Sequence, residues 1–331
     1  MSLLDTLAAI ELREVLLLAD SAIRLATPLI LCAMAGLVSE RAGVIDIGLE
    51  GKLLAGAFAA AAVAALTGSP WAGLLAAMVT SLAMAAVHGF ACITHRGEQI
   101  VSGVAINILA SGLTVVIGIA LFRQGGQTPS LAADQRFGEI ALPLAETLAA
   151  VPVLGPVYGD LISGHRLPVY LAFAAVPLVG WLLWRTRFGL SLRAVGEMPA
   201  AVDSAGQSVT ALRYRAVLLA GLLCGVAGAY LSVAHGGGFV REMSAGKGYI
   251  ALAAMIMGRW RPWPVLIACL LFGFLEAGAA RLQSLEIPGL GTVPNDLVLV
   301  LPYVATVLLL AGFFGRAIPP RALGTPYVKE R

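Results

Sequence analysis

The chain has 331 residues, of which 59% are hydrophobic and 12% charged, and its mean hydropathy is +0.89. A soluble domain of this size carries charge on about a quarter of its residues, so the composition excludes a soluble globular protein and indicates one that crosses a membrane many times. The net charge of +3 does not indicate nucleic-acid binding, because the basic residues stand at the ends of apolar runs, where they orient membrane spans.

Apolar runs of span length recur along the sequence, which predicts an all-α polytopic protein with about nine transmembrane helices, between eight and ten. A lead-in at residues 1–20 precedes a transmembrane domain at residues 21–315, and a cytoplasmic tail at residues 316–331 follows. The predicted spans are residues 21–38, 51–66, 71–93, 100–122, 168–184, 216–234, 249–257, 263–280 and 296–314. The run at 249–257 is too short to cross alone, because a crossing needs about 20 residues, so we predict a broken or re-entrant helix there.

Charged residues and glycines are interleaved in GVIDIGLEGKLLAGAFAA, residues 43–60, where Asp46, Glu50 and Lys52 precede a small-residue apolar run. Such a segment can line a water-filled cavity, where irregular backbone is tolerated, or bring two backbones close together. We therefore predict a pathway or gate element. The alternative is that both carboxylates lie at the cytoplasmic mouth and offset Arg41 and Lys52.

A second segment is similar to this one. IGLEGKLLAGA at residues 47–57 and SAGKGYIALAA at residues 244–254 both set Gly and Lys together before small apolar residues, with Lys247 in the second. In the predicted topology they enter from opposite faces, as inverted repeats do when they meet at a substrate site near the bilayer midplane. Chance is the alternative explanation in a chain rich in Gly and Ala.

Two long polar connections separate the spans. Residues 123–167 carry four acids and three arginines, so the charge rule places them outside. Residues 185–215 carry five arginines and two acids, which places them in the cytoplasm, with the N-terminus outside and the C-terminus inside. Within them PAAVDSAG, residues 199–206, predicts a short helix, with proline in the first turn and glycine at the end. We interpret 185–215 as a docking platform; the alternative is a solvated orientation signal without a partner.

Sequence motifs for chemistry are missing. The cysteines stand in apolar segments without CxxC spacing, which favours inert small hydrophobes, and the four histidines show no paired-ligand spacing, so no metal is expected. The sequence has no GxxxxGK[ST] phosphate loop, so we expect a transport subunit that is not an enzyme and binds no cofactor itself.

Several separated motifs carry a family resemblance over residues 21–315. They are SERAGVIDIGLEG (39–51), EQIVSGVAINILASGLT (98–114), FGLSLRAVGEMPAAVDSAG (188–206), RYRAVLLAGLLCGVAGAYL (213–231) and AGKGYIALAAMIMGRWRP (245–262). Together they resemble the permease subunits of ABC importers of the simple-sugar and nucleoside branch, and most of all nucleoside-type permeases that work with a basic-membrane-protein-like binding lipoprotein. Asp46 and Met198 depart from the Asn that such permeases often carry at these positions.

The resemblance implies a type II importer fold in the bacterial inner membrane. It also implies a second permease subunit, similar or identical, and a pair of cytoplasmic ATPase subunits that use ATP and Mg. An external binding lipoprotein and the surrounding membrane lipid complete the implied partners. It further implies that the platform is a coupling helix seated in the ATPase. The coupling residues are Gly189, Arg193, Gly196, Glu197, Pro199, Ala200, Asp203 and Gly206.

Candidates for the pathway are polar residues within or between the spans. They are Asp46, Glu50, His88, Ser102, Asn107, Thr114 and Lys247. Small neutral polar solutes need hydrogen bonds and stacking more than charge, and Asn107 and Thr114, seven residues apart, share a helix face. The alternatives are that Ser and Thr side chains satisfy a helix backbone and that His88 is a packing histidine.

We therefore predict the permease subunit of an ATP-driven importer of nucleosides or related small polar solutes. One alternative is an ABC permease for simple sugars. Another is a secondary transporter driven by protons or sodium, with Asp46, Glu50 and Glu276 as coupling groups, because ionisable residues inside a membrane are functional candidates. Uptake would then depend on the ion gradient rather than on an ATPase.

Overall fold

The structure, a computed structural model, is all-helical apart from one pair of very short strands. It describes residues 3–143, 145–148, 151, 154–282, 286–287, 291–292, 300, 304 and 317–329. The helices are α1 (Leu3–Arg41), α2 (Leu49–Thr67), α3 (Pro70–Gly89), α4 (Gln99–Phe122), α5 (Ala145–Leu148), α6 (Leu154–Val157), α7 (Leu167–Arg185), α8 (Arg187–Glu197), α9 (Pro199–Ser204), α10 (Val209–Ala229), α11 (Lys247–Met257) and α12 (Pro262–Leu282). A 3-10 turn at Ala133–Gln135 and wider π turns at Phe90–Thr94, Tyr158–Ile162 and Tyr230–His235 complete them. The strands β1 (Glu286–Ile287) and β2 (Gly291–Thr292) pair antiparallel.

Seven of the described helices are long and apolar enough to cross a membrane. They are Arg13–Arg41, Leu49–Thr67, Pro70–Thr94, Gln99–Phe122, Leu167–Arg185, Val209–His235 and Pro262–Arg281. The predicted all-α membrane fold is confirmed, and the predicted count of about nine is slightly too high for the described residues. Of the other two predicted spans, 249–257 lies in the eleven-residue helix α11, which is too short to cross alone, and 296–314 lies outside the described residues except for residues 300 and 304.

Side-chain caps begin several spans where polar loops meet apolar helices. The Ser69 hydroxyl accepts from the Ala72 N–H ahead of α3, whose first residue is a proline, and the Glu98 carboxylate accepts from the Val101 N–H at the start of α4. The Ser208 hydroxyl caps α10 in the same way. Each cap satisfies an N–H that the first helical turn leaves without a partner. Helices α3 and α4 begin where their apolar runs begin, whereas α10 begins seven residues before the predicted span at 216–234.

Small residues allow the central helices to approach closely. In α10, a Cβ at Gly225 would lie 2.5 Å from the Cα of Met78 in α3, and a Cβ at Gly228 would lie 2.5 Å from the backbone N of Ala57 in α2. Helices in membranes associate through such small-residue faces, because lipid tails are as apolar as leucine and give helices no hydrophobic reason to pair. The glycines in GLLCGVAG thus hold α2, α3 and α10 together.

The chain forms two distinct ends. Within the predicted docking platform at residues 185–215, helices α8 and α9 are the observed structure, and "platform" refers to these two helices from here on. They lie beside the end of α1, where a Cβ at Gly196 would be 2.2 Å from the Arg41 carbonyl oxygen. The segment 317–329, which we call the tail, packs at this platform end, since the Ala322 N–H donates to the Gly196 carbonyl at 2.8 Å. At the opposite end, the connection after α4 meets the connection after α10 through a 2.8 Å bond from the Leu131 N–H to the Gly237 carbonyl.

Candidate functional site

A buried break of residues 42–48 separates α1 from α2, and side chains satisfy its backbone. The Gln99 amide oxygen accepts from the Ile45 N–H at 2.7 Å, and His88 Nε2 lies 2.9 Å from the Ile45 carbonyl oxygen. Because a carbonyl oxygen can only accept, Nε2 carries the proton, and the other ring nitrogen can accept from the Ser102 hydroxyl at 3.0 Å. His88 and Ser102 thus position the break, with His88 fully buried and Ser102 half-buried.

A buried ion pair joins the break to the first turn of α2. Lys52 Nζ contacts both carboxylate oxygens of Asp46, at 2.6 and 2.5 Å, and both side chains are fully buried. Burial raises the pKa of the Asp46 carboxyl, but the attraction of Lys52 and His88 and the hydrogen bonds from Lys52 and the Gly48 N–H together outweigh burial and hold this pKa below its ordinary value. Asp46 is therefore ionised and already neutralised by a lysine six residues later.

Asn107 joins three elements at the start of α2. Its amide oxygen accepts from the Gly51 N–H at 2.8 Å, and its NH2 group donates to the Ile47 carbonyl at 3.1 Å and to the Tyr249 hydroxyl at 2.8 Å. The side chain has one oxygen and two N–H groups, so these bonds use all of its hydrogen atoms. Asn107 holds α2, α4 and α11 in register.

Glu50 connects the two segments that the sequence pairs. Its carboxylate oxygens accept from the N–H groups of Gly246 and Gly248, at 2.8 and 2.6 Å, at the start of α11. An anion at a helix N-terminus is stabilised by the unpaired N–H groups and by the helix dipole. Gly248 permits the contact, because a Cβ there would lie 2.5 Å from the Glu50 N. Lys247 bonds Glu276 at 2.6 Å.

A mid-span polar strip faces outward beside this network. It consists of Asn107, Ser111, Glu242 and Tyr249: the Ser111 hydroxyl donates to the Glu242 carboxylate, and Tyr249 is 46% exposed. Ser111 is near the middle of α4, at a depth where exposed polar groups line a water-filled path or contact another subunit rather than lipid. Thr114 differs, since it is buried and its hydroxyl donates to the Ser111 carbonyl within α4.

Sequence reasoning missed three residues of this strip. Ser111, Glu242 and Tyr249 were not among the candidates, because attention went to polar residues in long apolar spans and to the Gly-Lys pairs. Tyr249 follows Lys247 by two residues, inside the run predicted to be broken. An aromatic hydroxyl next to a predicted helix break is a signal that could have found it.

The platform is held against α7 by two of the predicted coupling residues. A Cβ at Gly189 would lie 2.0 Å from the Leu182 carbonyl oxygen, and Arg193 donates from Nε to the Leu183 carbonyl at 3.0 Å while its guanidinium lies 5.5 Å from the Trp184 ring centre. The predicted short helix is observed as α9, and Gly206 beyond it has φ +80°, a left-handed conformation that favours glycine.

The outer surface of the platform is small and mostly uncharged. Met198 is 64% exposed and Ala200 is exposed, while Pro199 is half-buried and Val202 packs inward. Glu197, the charged residue beside this surface, is also exposed. A cleft on another protein could enclose this surface at little desolvation cost, because few charged groups would be removed from water.

The tail connects the platform to the break. The Gly324 N–H donates to the Gly43 carbonyl at 3.1 Å, and the Tyr327 hydroxyl donates to the Asp203 carboxylate at 3.0 Å. Lys329 approaches the same carboxylate at 3.3 Å. One short stretch of chain therefore contacts α9 and the residues that precede α2.

Comparison with known proteins identifies the family. Residues 18–318 match the family described as branched-chain amino acid transport system / permease component. The chain belongs to this permease family.

Among the described residues of the permease, no group of three or more His, Cys, Asp and Glu side chains could hold a metal ion. The four cysteines are buried and are not joined in disulfides: Cys32, Cys92, Cys224 and Cys269.

The permease also resembles individual transport proteins over nearly its whole length. It is 37% identical to the nucleoside ABC transporter permease protein NupC of Lactococcus lactis, over 92% of this chain and 94% of the relative. It is 38% identical to the guanosine ABC transporter permease protein NupQ of Bacillus subtilis, with the same coverage. A putative glucose ABC transporter permease protein of Haloferax volcanii, TsgC13, is 34% identical over 89% of this chain and 90% of the relative. The permease is thus a multi-pass membrane subunit of an ABC transporter.

Proposed function

We propose that this permease is the membrane-spanning subunit of an ATP-driven importer of nucleosides, and that the mid-span polar strip contacts the solute. The strip is the observation that carries the proposal. It offers the exposed aromatic ring and hydroxyl of Tyr249 and the hydroxyl of Ser111 on an outward face of the bundle, about halfway along the spans. A nucleoside needs a surface for stacking of its base and hydrogen-bonding groups for its sugar, and this strip supplies both kinds.

The distribution of arginines favours a cytoplasmic ATPase that contacts the platform. Five arginines between 185 and 215 support a cytoplasmic position for the platform, an external N-terminus and an internal C-terminus in the bacterial inner membrane. Met198 and Ala200 then present the platform's outer surface to a separate ATPase subunit, which uses ATP and Mg. A second permease subunit faces the polar strip, and an external binding protein delivers the solute to the opposite end.

The pairing of the carboxylates argues against a secondary transporter. Asp46 is paired with Lys52, Glu50 caps α11, and Glu276 is bonded to Lys247. A carboxylate that carries a coupling ion must exchange it during each cycle, so it needs an unpaired state. Each of the three candidate carboxylates is instead paired with a lysine or with backbone N–H groups of the same chain.

The test is uptake of a radiolabelled nucleoside by proteoliposomes that contain the whole transporter with ATP inside. We expect uptake to stop when the ATPase subunit is inactive and to persist when ionophores remove proton and sodium gradients. The opposite pattern would establish the secondary transporter. Competition separates the two importer functions: excess unlabelled nucleoside should abolish uptake and excess glucose should leave it unchanged, whereas effective competition by glucose would establish the sugar permease favoured by the Haloferax relative.

A further inference from the structure

An apolar groove with a basic rim opens between α7 and α12 at the platform end. Its volume is about 650 Å³, and its walls include the exposed side chains of Trp181 and Trp263 together with Trp184. Gly180 forms part of the floor, where a Cβ would lie 3.7 Å from Pro262. The groove is separate from the polar strip, and neither the coupling surface nor the pathway uses it.

No acidic side chain that the structure describes forms an ion pair with the two arginines at the rim. Arg185 and Arg261 line the groove and are exposed. Neither forms an ion pair with any other residue that the structure describes. Two further guanidinium groups, of Arg41 and Arg193, lie 5.6 and 5.5 Å from the Trp184 ring centre. The rim is therefore a cationic site above an apolar trough.

The depth of the groove matches the surface of a bilayer. Arg185 ends α7 and Pro262 begins α12, so the rim lies where these two spans leave the membrane. Gly180 is five residues before Arg185, about 7.5 Å from it along the axis of α7, and it faces Pro262 in the first turn of α12. Tryptophans concentrate at this interface, and basic pockets between transmembrane helices on the cytoplasmic side bind anionic lipid headgroups.

We propose that the groove binds one anionic phospholipid. Its phosphate lies between Arg185 and Arg261, and one acyl chain runs past Trp181 over Gly180. An amphiphile with one negative headgroup matches both the cationic rim and the apolar trough, whereas a free anion would use only the rim. Because the Trp184 ring also contacts Arg193 of the platform, the bound lipid lies against the element that receives the ATPase.

Native mass spectrometry of the full-length permease tests this proposal. The protein, with the subunits that purify with it, is stripped of lipid in mild detergent and then titrated with phosphatidylglycerol or phosphatidylcholine. We expect one phosphatidylglycerol to be retained in preference to phosphatidylcholine. A basic residue near an anionic surface contributes roughly fivefold in affinity, so the double variant Arg185→Gln/Arg261→Gln should retain phosphatidylglycerol about thirtyfold less strongly.

Two further variants make the result specific. Arg187→Gln/Arg259→Gln removes the same charge from exposed positions at this end that do not line the groove, and it should bind phosphatidylglycerol as the wild type does. Gly180→Leu fills the trough, leaves the charge unchanged and should also abolish retention.

Four outcomes would overturn the proposal. They are equal binding of both lipids, unchanged binding by the double variant or by Gly180→Leu, displacement of the lipid by inorganic phosphate alone, and crosslinking that places a second subunit in the groove of the wild type. Elution of every variant at the wild-type volume in size-exclusion chromatography establishes that the fold is intact.

Discussion

Polar side chains from α3 and α4 supply hydrogen-bond partners to the buried backbone of the break before α2. The break before α2 would leave peptide groups without hydrogen bonds in a low-dielectric interior, and each such group would cost a few kcal/mol. Gln99, His88 and Asn107 remove that cost by bonding Ile45 and Ile47. The residues that looked like pathway ligands thus serve first to hold an irregular backbone in place.

The buried pair of Asp46 and Lys52 yields a stability prediction. Lys52→Met leaves the Asp46 carboxylate buried without a counter-charge, and removal of one partner from such a pair costs about 3–5 kcal/mol. We expect a clear fall in the thermal unfolding midpoint of the purified protein. Adding Asp46→Asn to the same protein should recover much of the loss. A double variant that is less stable than Lys52→Met would contradict the neutralisation argument.

Tyr249 yields a transport prediction. Stacking of a base on an aromatic ring is worth about 1–3 kcal/mol by alanine substitution, so Tyr249→Ala should raise the KM for nucleoside uptake by roughly fivefold to a hundredfold. Tyr249→Phe keeps the ring and is the matched control, and its KM should change much less. If the two variants have the same KM, the ring does not contact the solute.

At the scale of elements, the tail is a direct connection between the platform and the break. It bonds Gly196 at the end of α8 and Gly43 before α2, two positions more than 150 residues apart in sequence. On the proposed function, we expect a displacement of the platform by the ATPase to reach the start of α2 through the tail, without passing through the membrane spans. The tail would then be part of the coupling path.

Glycine substitutions test the tail. Gly324 has φ +77°, a conformation that a β-branched residue rarely adopts, and its added side chain would meet Ile45 at 2.9 Å. Gly324→Val should therefore detach the tail and lower solute transported per ATP, while ATP hydrolysis continues. Gly68→Val is the control, because Gly68 has φ +72° in open space between α2 and α3. Normal transport stoichiometry in Gly324→Val would exclude the tail from coupling.

At the scale of the whole molecule, the platform and the tail share one end, and residues 123–137 lie at the opposite end. The four cysteines are buried, so an added surface cysteine gives a specific labelling signal. Ser204→Cys in the platform should react with a membrane-impermeant maleimide in inside-out vesicles, and Ser130→Cys at the opposite end should react in intact cells. Labelling of Ser204→Cys in intact cells would reverse the proposed orientation.

Hydropathy predicted the positions of the spans well, but it did not predict which side of each helix packs against its neighbours. The predicted spans 100–122 and 168–184 fall within α4 and α7 to about one residue, because crossing a bilayer needs a run of apolar residues whatever the neighbours are. The face that α4 turns toward α2 could not be predicted, since apolar residues surround the helix and leave no contrast. The packing of the tail could not be predicted from the sequence either. Its contacts are backbone hydrogen bonds from the N–H groups of Ala322 and Gly324, which almost any residue could form.

The Glu50 contact has a mechanical consequence. One carboxylate belongs to the first turn of α2 and also closes the first turn of α11, so the two helices share an anchor in the interior. Pulling them apart would leave an anion and two amide protons without partners away from water. On the proposed import function, we therefore expect α2 and α11 to move together and the permeation route to open along the outer edges of this pair.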